Sequence, residues 1–211
     1  MINKSLKRFM KPLINQTILP AEPKALLFQN SSYGEFQNKV LDIAGDIDIS
    51  FQTGPSISGV GDRCVLSQCS TNVFENKEFR LYINNSLKIQ AQVGGNYTPT
   101  SNLPAVEPNT IYRILLQGSK LQVFINSSLF LDVVFNRGVA IEPTAKSRLG
   151  IETHGAGFRA NYNGLLSWIV IQGYYYPLDD YVSMTQGSWP SSNNNLILFN
   201  PVWVQISNNF K

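Results

Sequence analysis

The stretch IYRILLQGSKLQVFINSSLFLDVVF, residues 111–135, alternates apolar and polar side chains, breaks at QGSK, and alternates again. Tyr112, Ile114 and Leu116 share one face of an extended segment, and Leu121, Val123 and Ile125 share one face of the next. That is the period of two that side chains follow on a pleated strand. Gly118 stands at the break, where a tight turn uses positive φ, so the pattern predicts an antiparallel hairpin. A second turn signal, NSS at residues 126–128, precedes the extended apolar run LFLDVVF.

Working outward, KALLFQN (24–30), KVLDIAGDIDISFQTG (39–54), RCVLSQCS (63–70) and EFRLYINNSLKIQAQVG (78–94) read as strands, the last with a turn at NN. SRLGIETHG (147–155) and LLSWIVIQG (165–173) read as later strands. Their Gly, Pro and Asn content marks GGNYTPTSNLPAVEPNT (94–110) and HGAGFRANYNG (154–164) as loops. Strands at this spacing, with no helical periodicity in the body, predict an all-β fold: an antiparallel two-sheet β-sandwich or jelly roll. A chain of 211 residues fits one such domain, or one domain with an extra arm.

Charged residues make up only 15% of the chain, and Asn, Ser, Gln, Thr and Gly fill the polar positions, a balance more usual in extracellular or virion β-proteins than in cytosolic enzymes. The formal charge of +3 is too small and dispersed to point to nucleic acid. No apolar run reaches the roughly 18–20 residues of a membrane span, and the first residues lack the unbroken apolar core of a secretion signal, so no membrane partner is expected. The basic character gathers at residues 1–23, where Lys4, Lys7, Arg8 and Lys11 stand among Leu6, Phe9, Met10, Leu13 and Ile14. Pro12 stops one long helix from continuing. This segment reads as either a frayed terminus or a docking arm, with Lys4, Lys7, Arg8, Phe9 and Lys11 as its contact residues.

Several pieces occur in the order of a known family. LLFQNSSYGEF leading to KVLDIAGDIDISFQ, then NTIYRILLQGSKLQVFINSSL, SRLGIE and NGLLSWIVIQG together resemble the laminin G-like or concanavalin A-like jelly roll. Tyr112, Gly118, Leu121, Val123, Ile125, Asn126, Gly150, Phe158, Gly164, Leu166 and Ile169 occupy its packing positions, over residues 25–173. Ser127 departs from the pattern, which has Gly after the hairpin Asn, and so predicts a different turn. The remaining GYYYPLDDYVSMTQGSWPSSNNNLILFNPVWVQISNNFK resembles tail segments of bacteriophage fibre and decoration proteins. The chain therefore divides into an arm (1–23), a sandwich (24–173) and C-terminal aromatic and Asn-rich strands (174–211) that complete the sandwich or form an interface.

Glycosidases on this fold use paired carboxylates from one strand. Asp46 and Asp48 in GDIDIS face one side, but Ser50 and Phe51 follow where the resemblance requires acids, so these aspartates are expected to line a solvated face or cap a turn. His154 is the single histidine, and no Gly-x-Ser-x-Gly elbow is present. No catalytic residue is assigned, and the chain is not expected to be an enzyme. Cys64 and Cys69 either close a small disulfide loop or stand as two thiols on one strand and its turn, and they are too few for a zinc site. The resemblance allows a bound calcium, with Asp62, Asp179 and Asp180 as candidate ligands, but no loop has the spacing of a strong site and no metal is assigned.

Tyr174, Tyr175, Tyr176, Tyr181 and Trp189 crowd one stretch, and aromatic faces stack on sugar rings. In YYY alternate rings point to opposite faces, so packing or subunit contact competes with saccharide binding for them. The functional expectation is a structural virion protein of a bacteriophage, a decoration protein or short fibre. The arm would join it to other virion proteins, copies would repeat as a homo-oligomer, and the sandwich would meet a bacterial surface glycan. The alternative is a lectin-like carbohydrate-binding module, ahead of a glycoside hydrolase.

Overall fold

The computed structural model describes residues 24–29, 32–57, 61–70, 78–139, 141, 143–154, 157–159, 162–178 and 196–205. The arm residues Lys4, Lys7, Arg8, Phe9 and Lys11 lie outside them, as do Asp179, Asp180, Tyr181 and Trp189. The described residues form β-strands and no helix: β1 (Lys24–Phe28), β2 (Tyr33–Phe36), β3 (Ile47–Ile57), β4 (Arg63–Cys69), β5 (Phe79–Ile83), β6 (Ile89–Val93) and β7 (Asn96–Tyr97) come first. The central hairpin follows as β8 (Ile111–Gln117) and β9 (Lys120–Ile125), then β10 (Ser128–Val134), β11 (Lys146–Leu149), β12 (Glu152–His154) and β13 (Gly157–Arg159). The last are β14 (Gly164–Ile171), β15 (Tyr174–Pro177), β16 (Leu196–Phe199) and β17 (Val202–Gln205).

Two antiparallel sheets face each other. An eight-stranded sheet runs β10-β9-β8-β3-β14-β1-β17, with β15 also paired to β14, and a seven-stranded sheet runs β16-β2-β11-β4-β5-β6-β7. Strands β1 and β17 pair from Lys24↔Gln205 to Leu27↔Val202, so the first described strand and the last lie side by side. The chain is thus an all-β jelly-roll sandwich, as the alternation at residues 111–135 predicts.

That alternation is realised residue by residue. Tyr112, Ile114, Leu116, Leu121 and Val123 are all buried, and the Tyr112 ring stacks on Phe51 of β3 with centroids 5.5 Å apart. Ile49, Phe51, Leu166 and Ile169 extend this inner face and meet Leu66, Phe79, Leu81 and Leu149 of the opposite sheet in one core. Each such side chain contributes roughly 1.5–3 kcal/mol by leaving water. The buried Tyr112 hydroxyl accepts the Glu107 backbone N–H at 2.8 Å.

The β8–β9 turn is Gly118-Ser119, with φ +56° at Gly118, the glycine-first pattern of a type II′ turn. The next turn, Asn126-Ser127, has positive φ at both residues (48° and 69°), the type I′ pattern. The expectation of a different turn is therefore corrected: Ser127 takes the left-handed conformation that glycine would adopt at lower cost.

Two other expectations are also corrected. The strand predicted from residue 39 begins only at Ile47, because the Asp42 carboxylate accepts the Ala44 N–H at 3.0 Å and the Asp42 carbonyl accepts the Gly45 N–H at 3.1 Å, closing a turn first. Residues 154–164, predicted as a loop, supply the second strand of a small hairpin, β12–β13, that lies against β4. Ser67 of β4 donates to the Ile151 carbonyl at 2.8 Å, and Glu152 reaches over the sheet to Arg80 of β5. Those anchors give the segment reason to pair. Cys64 and Cys69 are both buried thiols on β4, not joined in a disulfide, and burial, with Glu152 nearby, pushes the Cys64 thiol well above its ordinary value.

Candidate functional site

The outer face of the eight-stranded sheet carries the residues that alternate with the core set. In register across it, Val170 of β14 pairs with Ser50 of β3, Ser50 with Arg113 of β8, Arg113 with Phe124 of β9, and Phe124 with Leu129 of β10. The neighbouring row sets Trp168 beside Gln52 and Gln52 beside Ile111. Together Ser50, Ile111, Arg113, Phe124, Ser127 and Trp168 line an open hollow of about 300 Å³. That is the lower end of the range for small-ligand sites.

Arg113 is held in this hollow by a two-pronged pair. Its Nε donates to Asp48 Oδ1 at 2.9 Å and its Nη2 to Oδ2 at 2.7 Å, with the guanidinium carbon 5.9 Å from the Phe124 ring centre. The Asp48 hydrogen bonds outweigh the slight burial and keep the guanidinium more firmly protonated than usual. Asp48 is itself fixed: its backbone N–H donates to Gln172 Oε1 at 3.0 Å and its carbonyl accepts the Gln172 N–H at 2.9 Å. At the far end of the same face Lys120 sits 3.1 Å from Asp132. Lys120, then Gln122, hold that carboxyl below its ordinary range.

Asp46 and Asp48 take separate structural roles. Asp46 accepts the Gly118 N–H at 3.1 Å and so caps the β8–β9 turn, while Asp48 is the partner of Arg113. Arg137 completes the turn's support by donating to the carbonyls of Ile43, Gly45 and Gly118. Asp62 lies 3.9 Å from Arg80, and among the described residues no group of three or more His, Cys, Asp or Glu side chains is placed to hold a metal ion.

The tyrosine cluster divides. Tyr176 is buried and packs edge-on with Phe36 at 5.3 Å, so its ring serves the core. Tyr174 and Tyr175 are exposed, and Tyr175 pairs with Val170 and sets its ring 6.2 Å from Trp168, at the border of the hollow. Tyr181 and Trp189 fall outside the described residues. Sequence reasoning did not single out Trp168, Phe124 or Arg113. The signal was present: once Tyr112, Ile114, Leu121 and Val123 face inward, positions 111, 113 and 124 must face outward, and two of them are large and apolar.

No protein-family model matches the sequence, and no characterised protein matches it by sequence. Solved structures do match in shape. A proposed carbohydrate-binding protein from Bacteroides ovatus aligns with a TM-score of 0.56 at 12% identity, over 88% of this chain and 60% of its own. The CBM40 of the Ruminococcus gnavus IT-sialidase, bound to α2,3-sialyllactose, aligns at 0.52 and 11% identity, over 70% of this chain and 90% of its own. Domains LG4-5 of the mouse laminin α1 chain align at 0.51 and 14% identity, over 74% and 44%. At these identities the likeness establishes the fold alone, a jelly-roll β-sandwich.

Proposed function

We propose that this protein is a lectin-like module that binds a saccharide on the outer face of its eight-stranded sheet. The observation that carries the reading is the hollow itself: Trp168 and Phe124 line the same depression as Ser50, Ser127 and Arg113, whose guanidinium Asp48 holds in place. Apolar ring faces cover the C–H face of a sugar while fixed donors and acceptors take its hydroxyls. The shape likeness to a module bound to sialyllactose supports saccharide as the ligand class.

Titration of the full-length chain with an oligosaccharide panel, followed by tryptophan fluorescence and calorimetry, tests this. Saturable binding is expected, weakened more than tenfold by Trp168→Ala, which removes a half-buried ring. Binding unchanged in that variant, with its melting temperature intact, would move the site elsewhere.

A second reading, presentation of the module on a larger assembly such as a virion, is favoured by β10. Among the described residues this strand pairs only with β9, and it exposes Leu129, Phe130 and Val134, with Val139 and Ile141 exposed beyond it. Exposed apolar strand edges attract further chains. Sedimentation of the full-length chain separates the cases: concentration-dependent self-association supports repetition on an assembly, and a strict monomer counts against it.

A further inference from the structure

The Arg113–Asp48 pair bears on which saccharides the hollow accepts. Of the six side chains lining it, Arg113 alone carries charge, and the Asp48 carboxylate offsets that charge from 2.7 and 2.9 Å. The remaining lining groups are two hydroxyls, two aromatic rings and an isoleucine. Across the same face Lys120 is matched by Asp132, and Asp46 at the β8–β9 turn adds a negative charge. Among the described residues that line the hollow, an anionic sugar would therefore meet no unmatched cation. The Nε–Nη2 edge is closed to it by Asp48, and at the remaining Nη1–Nη2 edge it meets a charge already offset by a neighbouring carboxylate that also repels it.

A neutral sugar meets the opposite situation. The pair uses Nε and one N–H of Nη2, which leaves Nη1 outside it, and each carboxylate oxygen retains a lone pair beyond the one already engaged. Donors and acceptors thus stand side by side, already oriented. Adjacent hydroxyl groups, which both donate and accept, complement that arrangement, whereas a carboxylate can only accept. Pre-oriented partners also lower the cost of ordering on binding.

Resting on the saccharide reading above, we infer that this site selects neutral saccharides, engaging vicinal hydroxyls across the Arg113–Asp48 pair, and discriminates against sialylated and uronic-acid sugars. The test uses the full-length chain on an array of neutral and acidic oligosaccharides that includes lactose beside α2,3-sialyllactose, read at low and high salt. Neutral ligands are expected to bind at least tenfold tighter than their acidic counterparts, with little change in affinity between the two salt conditions. Asp48→Asn removes the offsetting charge, and it is expected to reverse the preference by tenfold or more while making binding salt-sensitive.

If the unaltered protein prefers acidic sugars, and that binding needs Trp168 and falls with salt, the neutral selection is overturned while the saccharide reading stands. Failure of every sugar on the array to bind overturns both. A folded Asp48→Asn protein with unchanged preference also overturns the role given to the pair. Should that variant fail to fold, the comparison of neutral and acidic sugars on the unaltered chain decides the matter alone.

Discussion

The outer faces of the two sheets carry the same device, an arginine paired with a carboxylate, in opposite surroundings. On the eight-stranded sheet Arg113 and Asp48 are 45% and 38% exposed. On the seven-stranded sheet Arg80 and Glu152 are 5% and 0% exposed and join β5 to the β12–β13 hairpin at 2.8 Å, with Arg80 lying 3.8 Å from the centre of the Tyr82 ring. Burial alone opposes the Arg80 charge, but the attraction and hydrogen bond from Glu152 more than restore it, and the guanidinium pKa rises. The difference teaches how one motif serves two ends. Sealed from water it fastens a cover to a sheet, and left open it presents donors and acceptors to solvent and ligand.

Truncating the carboxylates should show the contrast most strongly. Glu152→Ala leaves Arg80 charged and buried without its main partner, so it is expected to cost about 3–5 kcal/mol of stability by urea unfolding. Asp48→Ala, on the open face, is expected to cost less than about 1 kcal/mol. Equal losses at the two sites would break the comparison.

Alkaline pH probes the covered face next. Burial pushes the Tyr82 hydroxyl up to about 12 from an ordinary 10.0, against the lowering influence of Arg80. Between those values the folded state holds a proton that the unfolded state has released. Its stabilising effect is therefore complete below pH 10 and is lost as pH rises through about 12. The unfolding free energy read from urea titrations should fall across that window, by up to about 1.4 kcal/mol per pH unit for each such tyrosine. Tyr162, fully buried and shifted in the same direction by burial, adds to the fall. A flat profile there would argue that the cover opens readily.

The smallest effect belongs to the open face. Ser127→Gly relieves a left-handed serine at φ +69° and is expected to raise stability by up to about 1 kcal/mol. The same change removes a hydroxyl from the hollow, so a gain in melting temperature with a loss of saccharide affinity would sharpen the assignment of that residue to the site.

The fold was legible because it rests on local alternation. Tyr112 through Val123 state their own burial, and Gly118 announces the turn between them. Residues 154–164 read as a loop from sequence because the pairing of β12 with β13 gains its support at long range, from Ser67 and Arg80, and neither partner is visible in a window of Gly and Asn. Tyr174 to Tyr176 stand out as a run of like residues, and of these Tyr175 sets its ring 6.2 Å from that of Trp168. The side chains that line the hollow come instead from β3, from the continuous stretch of β8, β9 and the β9–β10 turn, and from β14, three regions far apart in sequence. Register brings them together, and register is a property of the assembled sheet.

The pairing of Lys24 with Gln205 has a practical consequence for engineering. The strands that open and close the described body run antiparallel at one edge of the eight-stranded sheet, whereas the edge at β10 is at the other end. Partners across an antiparallel ladder have Cα atoms only about 4.5–5.5 Å apart. Leads attached at Lys24 and Gln205 therefore emerge together, so a splice into a surface loop of a carrier protein needs no long linker to bridge them.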